Sequence, residues 1–146
     1  MPSAPSSPTS VSDACDHVET LRVRYSDTDA QGIVHHSNYF RWLEESRIGW
    51  LEAIGQPYGQ LTERGIYLPL TACSCTFQAP VYAGERVDVH LSLDEVTRAR
   101  VDLTYEILRS EQVTATAAST HAYVDAAGRP LRLKRDDPFW LALQED

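Results

Sequence analysis

A chain of 146 residues and 16.4 kDa is long enough for one hydrophobic core and too short for two, so a single domain is expected. Its formal net charge of -8 repels nucleic acid and anionic membrane, although a local basic patch would still hold an anionic small ligand. No apolar run reaches the roughly 18 residues needed to cross a bilayer, and the N-terminus lacks the basic and apolar segments of a secretory signal, so a cytoplasmic protein is expected.

Residues 1–16 are rich in proline and serine and are expected to form a disordered tail, leaving 17–146 as the folded domain. From His17 to Tyr25 apolar and polar residues alternate, which predicts a half-buried strand. A loop from Ser26 to His36 leads into a helix over about 37–54, with Ser37 or Asn38 available as its cap. Tyr39, Trp42, Leu43, Ser46, Trp50, Ala53 and Ile54 recur at three- and four-residue spacing and give this helix a wide apolar stripe. Gly55 and Pro57 end it.

A short turn or helix near 58–64 follows, and strands dominate from there. One is predicted within 67–81, bounded near Pro69 and Pro80; alternation then marks strands around Val87–Leu93, Val101–Ile107 and 113–124. Asp125 to Gly128 turns the chain into 129–135, and Asp137-Pro138 has the form of a cap and first turn of a final short helix. A long apolar helix followed by four strands predicts an α+β fold in which a curved antiparallel sheet covers the helix. Cys73 and Cys75 would share one face of a strand, and with Cys15 they are read as reduced thiols rather than disulfide or metal ligands.

The loop carries the chemistry. Asp27-Thr-Asp29-x-x-Gly32-x-Val34-x-His36-x-x-Tyr39, followed by that helix, resembles the hot-dog-fold acyl-CoA thioesterases, in the branch typified by 4-hydroxybenzoyl-CoA thioesterase. The resemblance spans roughly 19–135 and implies hydrolysis of a thioester to a carboxylic acid and a free thiol, with no cofactor and no metal. It places the catalytic carboxylate at Asp29, as nucleophile or as general base. It puts His36 beside the thioester, and it assigns Arg98 and Arg100, in the turn between two strands, to the phosphates of coenzyme A. It also implies a homodimer with the active site at the subunit interface, paired again into a tetramer.

Other residues take their expected roles from position. Gly32 permits the turn, and the helix start at His36, Ser37 and Asn38 offers N–H groups to polarise a carbonyl. Asp27 is expected to brace the loop and His35 to be a loop residue. Tyr39 and Trp42 are core or interface before they are substrate contacts, and Glu44 and Glu45 are placed where either faces the site. Arg129, Arg132, Lys134 and Arg135 form the densest basic cluster. His90 and His121 are expected to be ordinary sheet residues. Tyr58, Tyr67, Leu68, Phe77 and Tyr82 are candidates for shaping the acyl pocket. The alternatives weighed are a thioesterase acting on an acyl-carrier-protein thioester, a dehydratase on the same fold, and a non-catalytic acyl-thioester-binding protein.

Overall fold

The computed structural model describes residues 15–144. Most of the tail expected over 1–16 therefore lies outside the described residues. Asp16 does not: its N–H donates to the Leu91 carbonyl, and its carboxylate accepts the Leu93 N–H.

Five strands, β1 (His17–Arg22), β2 (Leu70–Phe77), β3 (Arg86–Val96), β4 (Arg100–Arg109) and β5 (Gln112–Ala122), form one antiparallel sheet in the order β1-β3-β4-β5-β2. Three helices complete the fold: α1 (Ser37–Ala53), α2 (Tyr58–Glu63) and α3 (Pro138–Leu143). This is the helix-and-sheet arrangement expected of a hot-dog fold. Register irregularities at Leu70/Ala72, Leu93/Val96 and Ile107/Leu108 insert an extra residue into β2, β3 and β5 respectively, the kind of bulge that bends a strand and increases its twist.

The alternation of β3 and β4 puts Val87, Val89, Leu91, Val101, Leu103, Tyr105 and Ile107 on one face, all buried. Against them α1 lays Tyr39, Trp42, Leu43, Ser46, Trp50 and Leu51. Each large apolar side chain buried this way contributes about 1.5–3 kcal/mol. The Ser46 hydroxyl, fully buried, is satisfied by donating 2.7 Å to the Leu43 carbonyl.

The stripe differs from the sequence expectation at its end. The helix stops at Ala53, which stays exposed, while α2 folds back with Leu61 fully buried and Leu51 joins the core in its place. The opposite flank of α1 is left uncovered. Phe40 and Ile48 are exposed there, as are Leu70 and Phe77 on the free edge of β2.

The strand predicted over His17–Tyr25 ends at Arg22. A 3-10 turn at Tyr25–Asp27 reverses the chain, because the Asp27 carboxylate captures the Arg24 N–H at 2.9 Å, and Tyr25 is 84% exposed rather than paired. The segment predicted within 67–81 is regular only between its two prolines, since neither Pro69 nor Pro80 can donate to the ladder. Gly55 ends α1 at φ +79°, and Asp137 caps α3 by accepting the Phe139 N–H at 2.8 Å. No helix is long and apolar enough to cross a membrane.

Candidate active site

Two acids of the loop have opposite environments. Asp27 is 1% exposed: its Oδ1 accepts from Arg24 at 3.1 Å and Arg41 at 2.9 Å, and its carbonyl accepts the His35 N–H and the Asn38 side-chain amide. Burial alone would push this carboxyl up. The Arg24 backbone and guanidinium and the Arg41 charge outweigh it, and the value is held below that of an ordinary carboxylate. Asp27 is the brace of the loop.

Asp29 is exposed and sits in a tight turn. Its N–H donates to the Ile33 carbonyl at 2.9 Å, its carbonyl accepts the Gly32 N–H at 3.0 Å, and its Oδ1 accepts the Gln31 N–H at 2.8 Å. Gly32 takes φ +81°, a conformation that costs an L side chain about 1–2 kcal/mol. Oδ2 of Asp29 has no partner among the described residues. Asp29 borders a cleft of about 400 Å³ whose other walls include His35, His36, Tyr39, Phe77 and Pro80.

The start of α1 lies on this cleft, but its polar groups are distributed differently from the sequence expectation. Neither Ser37 nor Asn38 caps the helix; the cap position is His36, with no side-chain cap bond. The Ser37 hydroxyl is bonded to His35 Nδ1, and the Asn38 amide is committed to the Asp27 carbonyl, 11 residues back. The N–H groups of Ser37, Asn38 and Tyr39 go to His35 Nδ1, the His35 carbonyl and the His36 carbonyl. His36 is the first residue of this run whose N–H is unbonded among the described residues. Tyr39 is 3% exposed and wedged between Trp42 and Phe77, with ring centroids 4.9 Å from each. It walls the cleft from the core.

Three other candidates stand away from Asp29. Glu44 lies on a second cavity, of about 220 Å³, along with Tyr58 and Leu68. Arg100 is held by Glu95 at 2.7 Å and Asp102 at 3.2 Å, so its charge is already neutralised. Arg98 is different: its charge is disfavoured by desolvation and by the neighbouring Arg135 and Arg132, which marks three cations gathered at one end of the sheet. The only hydrogen bond of its guanidinium among the described residues is to the Leu133 carbonyl, at 3.3 Å, and its own carbonyl accepts the Leu133 N–H at 2.8 Å.

Sequence reasoning passed over one group. Arg47 donates to Tyr105 Oη at 3.1 Å, and Tyr105, Ser119 and His121 continue as a buried chain of hydrogen bonds. The only signal in the sequence is that Arg47, Tyr105, Ser119 and His121 all fall on inward positions of their elements. Burial, and then Arg47, push His121 down to about 4, so the folded protein keeps it neutral. An unfolded chain takes up that proton near 6.5. The associated stability is therefore full above 6.5 and is lost as the pH falls towards about 4. We expect thermal unfolding curves recorded across that window to show a loss of order 3 kcal/mol from this group, and His121→Gln to flatten the dependence.

Among the described residues no group of three or more His, Cys, Asp or Glu is placed to hold a metal. Cys73 and Cys75 are free thiols, and burial, with Cys73 adding to it, pushes Cys75 up to about 11.

Comparison with known proteins gives the family of the chain. A protein of Aquifex aeolicus (strain VF5) is 37% identical over 103 residues, covering 70% of this chain and 80% of its own. A 1,4-dihydroxy-2-naphthoyl-CoA hydrolase of Synechococcus sp. (strain CC9902) is 30% identical over 113 residues, 73% of this chain and 76% of its own. The crystal structure of a DHNA-CoA thioesterase from Staphylococcus aureus superposes with a TM-score of 0.82 at 25% identity, covering 87% of each chain. The pattern of the thioesterase-like superfamily matches residues 23–141, from the residue after β1 into α3, and the chain belongs to that family.

Proposed function

We propose that this acyl-CoA thioesterase uses Asp29 as its catalytic carboxylate. The observation that carries the reading is that Asp29, whose Oδ2 has no partner among the described residues, lines a cleft at the N-terminal end of α1 together with His36, whose N–H is unbonded among the described residues. The carboxylate either attacks the thioester carbon, expelling the coenzyme A thiolate and leaving a mixed anhydride for water to cleave, or takes a proton from the water that attacks. In both routes the carbonyl oxygen gains negative charge, which the His36 N–H and the positive end of a 17-residue helix stabilise. Two of the relatives named above, the Synechococcus hydrolase and the Staphylococcus aureus thioesterase, act by their names on dihydroxynaphthoyl-CoA, and we read an aromatic acyl group for this chain too, in keeping with the 4-hydroxybenzoyl-CoA thioesterase branch.

The phosphates of coenzyme A fall to Arg98, Arg132 and Arg135, since Arg100 is ion-paired. Those arginines lie at the Leu70 end of the sheet, whereas Asp29 lies at the Phe77 end. A homodimer resolves this. The free edge of β2 pairs antiparallel with the same edge of a second copy, and the two ends are brought together. Pairing also covers an edge that would otherwise invite aggregation, together with Phe40, Ile48, Leu70 and Phe77. A further pairing into a dimer of dimers would cover the outer face of the sheet, where His90 Nδ1 and Glu106 Oε1 are buried without partners.

Two measurements test this reading. Ile48→Glu combined with Leu70→Glu is expected to give a monomer by light scattering, with an unchanged circular dichroism spectrum and activity reduced at least a hundredfold. A dimer that persists removes the β2 edge as the interface. Thiol release from matched aroyl-CoA, alkanoyl-CoA and aroyl-carrier-protein thioesters is expected to favour aroyl-CoA, and a preference of orders of magnitude for the carrier form overturns coenzyme A as the substrate's thiol.

A further inference from the structure

The free edge of β2 carries two groups that the thioester chemistry does not use, the thiols of Cys73 and Cys75. Both lie on the α1 side of the sheet, half-buried and packed against the core. A single cysteine so placed is a small apolar side chain. A pair on a strand that meets its own copy is different, because symmetry decides what each thiol faces.

Three constraints fix the pairing. Gln78 donates its N–H to the Thr114 carbonyl at 2.8 Å, so along this regular ladder Thr76 and Ser74 also turn their backbone groups towards β5. Those of Cys73 and Cys75 therefore point out from the free edge, where a second strand bonds to them. A two-fold axis normal to the sheet keeps both α1 helices on one side. Residues facing α1 then oppose residues facing α1, and the axis passes through a residue rather than between two. Overlap of all eight residues of β2 centres between Cys73 and Ser74, and overlap of its regular part, Ala72 to Phe77, centres between Ser74 and Cys75. Ser74 adjoins both midpoints. With Ser74 on the axis, Cys73 stands opposite the partner's Cys75, and Cys75 opposite the partner's Cys73. Opposed residues that exchange both backbone bonds have Cα atoms about 5.5 Å apart, inside the roughly 4.4–6.8 Å that a disulfide spans.

We propose that this pair is a redox lock on the dimer: a hydroperoxide joins Cys73 of one copy to the partner's Cys75 as an interchain disulfide. The proposal rests on β2 edge pairing and not on the role of Asp29. The two thiols are unequal. Burial raises both, but the Arg47 charge works against it at Cys73, whereas Cys73 itself pushes Cys75 further, to about 11. Cys73 therefore supplies the attacking thiolate. Its sulfur takes one oxygen of hydrogen peroxide as the O–O bond breaks, giving a sulfenic acid and a hydroxide that leaves as water with the thiol's proton. The partner's Cys75 sulfur then displaces the remaining oxygen, which departs as a second water with the Cys75 proton. Each sulfur gives up one electron and the peroxide takes both. Both thiols are reached in the single chain, where neither is fully buried, and the bond closes when two copies meet. Joined copies pair again at an effective concentration of order mM, and a small thiol reverses the lock by exchange.

The test oxidises the purified protein with hydrogen peroxide, in a Cys15→Ser background that removes the third thiol. A non-reducing denaturing gel is expected to show a covalent dimer that dithiothreitol returns to single chains. Cys73→Ala and Cys75→Ala are each expected not to cross-link alone. Co-expressed, they are expected to do so, because only the mixed dimer sets a Cys73 opposite a Cys75. Should either variant fail to fold, the unsubstituted pair is read by mass: trypsin releases residues 65–86 with both cysteines, and two copies of that peptide are expected with fragments joining Cys73 to Cys75. Below the dissociation constant of the dimer, each tenfold dilution is expected to lower the activity per chain of the reduced enzyme about tenfold and to leave that of the oxidised enzyme level. No covalent dimer, or cross-linking by either single variant alone, overturns the proposal. The edge is read separately, on the reduced protein. A dimer that Ile48→Glu with Leu70→Glu abolishes, yet that does not cross-link, overturns the thiol pairing only; a dimer that persists in that variant removes the edge and the proposal with it.

Discussion

Asp29→Asn is expected to lower thiol release from acyl-CoA about a thousandfold or more while leaving the unfolding midpoint within about 0.5 kcal/mol of the parent. The physical basis is the division of labour between the two oxygens of this carboxylate. Oδ1 is used by the turn, accepting the Gln31 N–H at 2.8 Å, and an asparagine oxygen accepts the same bond. Oδ2 has no structural partner among the described residues, so replacing it with an amide removes a nucleophile or base and nothing that holds the fold. Because Asp29 is exposed, its replacement leaves no buried polar group unsatisfied. A stopped thiol assay with urea unfolding on the same preparation checks both halves. Retention of most of the hydrolysis would remove Asp29 from the chemistry and move attention to the helix carboxylates.

Asp27→Ala is expected to do the reverse, damaging stability first and activity as a consequence. The carboxylate takes the Arg24 N–H, the Arg24 guanidinium and the Arg41 guanidinium, at 2.9, 3.1 and 2.9 Å. Its loss frees the start of the 3-10 turn and leaves Arg41 with Glu45 as its remaining acid. We expect a cost of about 2–3 kcal/mol in urea unfolding, with a fall in kcat/KM even though Asp29 is still present. Asp27→Asn should lie between the two, since its amide oxygen can still accept the Arg24 N–H. The lowered value of Asp27 also sets a pH signature. Its stabilisation is present above the ordinary carboxylate value of 3.8 and disappears as the pH falls below that, through the lower folded value. Asp27→Ala should therefore lose this acid limb. Parent-like stability and activity would mean that the loop holds itself without the brace.

Much of this was legible from local pattern. The three- and four-residue recurrence from Tyr39 to Trp50 marks α1, and the alternation from Val87 to Leu93 and Val101 to Ile107 marks the strands that face it, because these periods are properties of a helix and a strand before any packing occurs. The ordered motif from Asp27 to Tyr39 likewise marks the loop that leads into α1 and carries the candidate site. The misjudged boundaries share a cause. Tyr25 continues the apolar alternation of β1, but a hydrogen bond three residues long wins over the pattern and turns it to solvent.

The sequence by itself determined the fold class and the loop-then-helix order, and the family resemblance it carries is what points to Asp29 over Asp27 as the acid proposed here for the chemistry. Only the tertiary structure decided what each charge is free to do. Asp27 is neutralised by Arg41, 14 positions away, Arg47 is anchored by Tyr105, 58 positions away, and Arg98 meets the chain again at Leu133, 35 positions on. Arg98, in the β3–β4 turn, and Arg100, expected there but in fact the first residue of β4, have the same side chain, yet Arg100 is neutralised by Glu95 and Asp102 while Arg98 shares its corner with Arg132 and Arg135. A side chain's charge is local, but its partners and its access to water are set by chain segments that become neighbours only when the sheet closes on the helix.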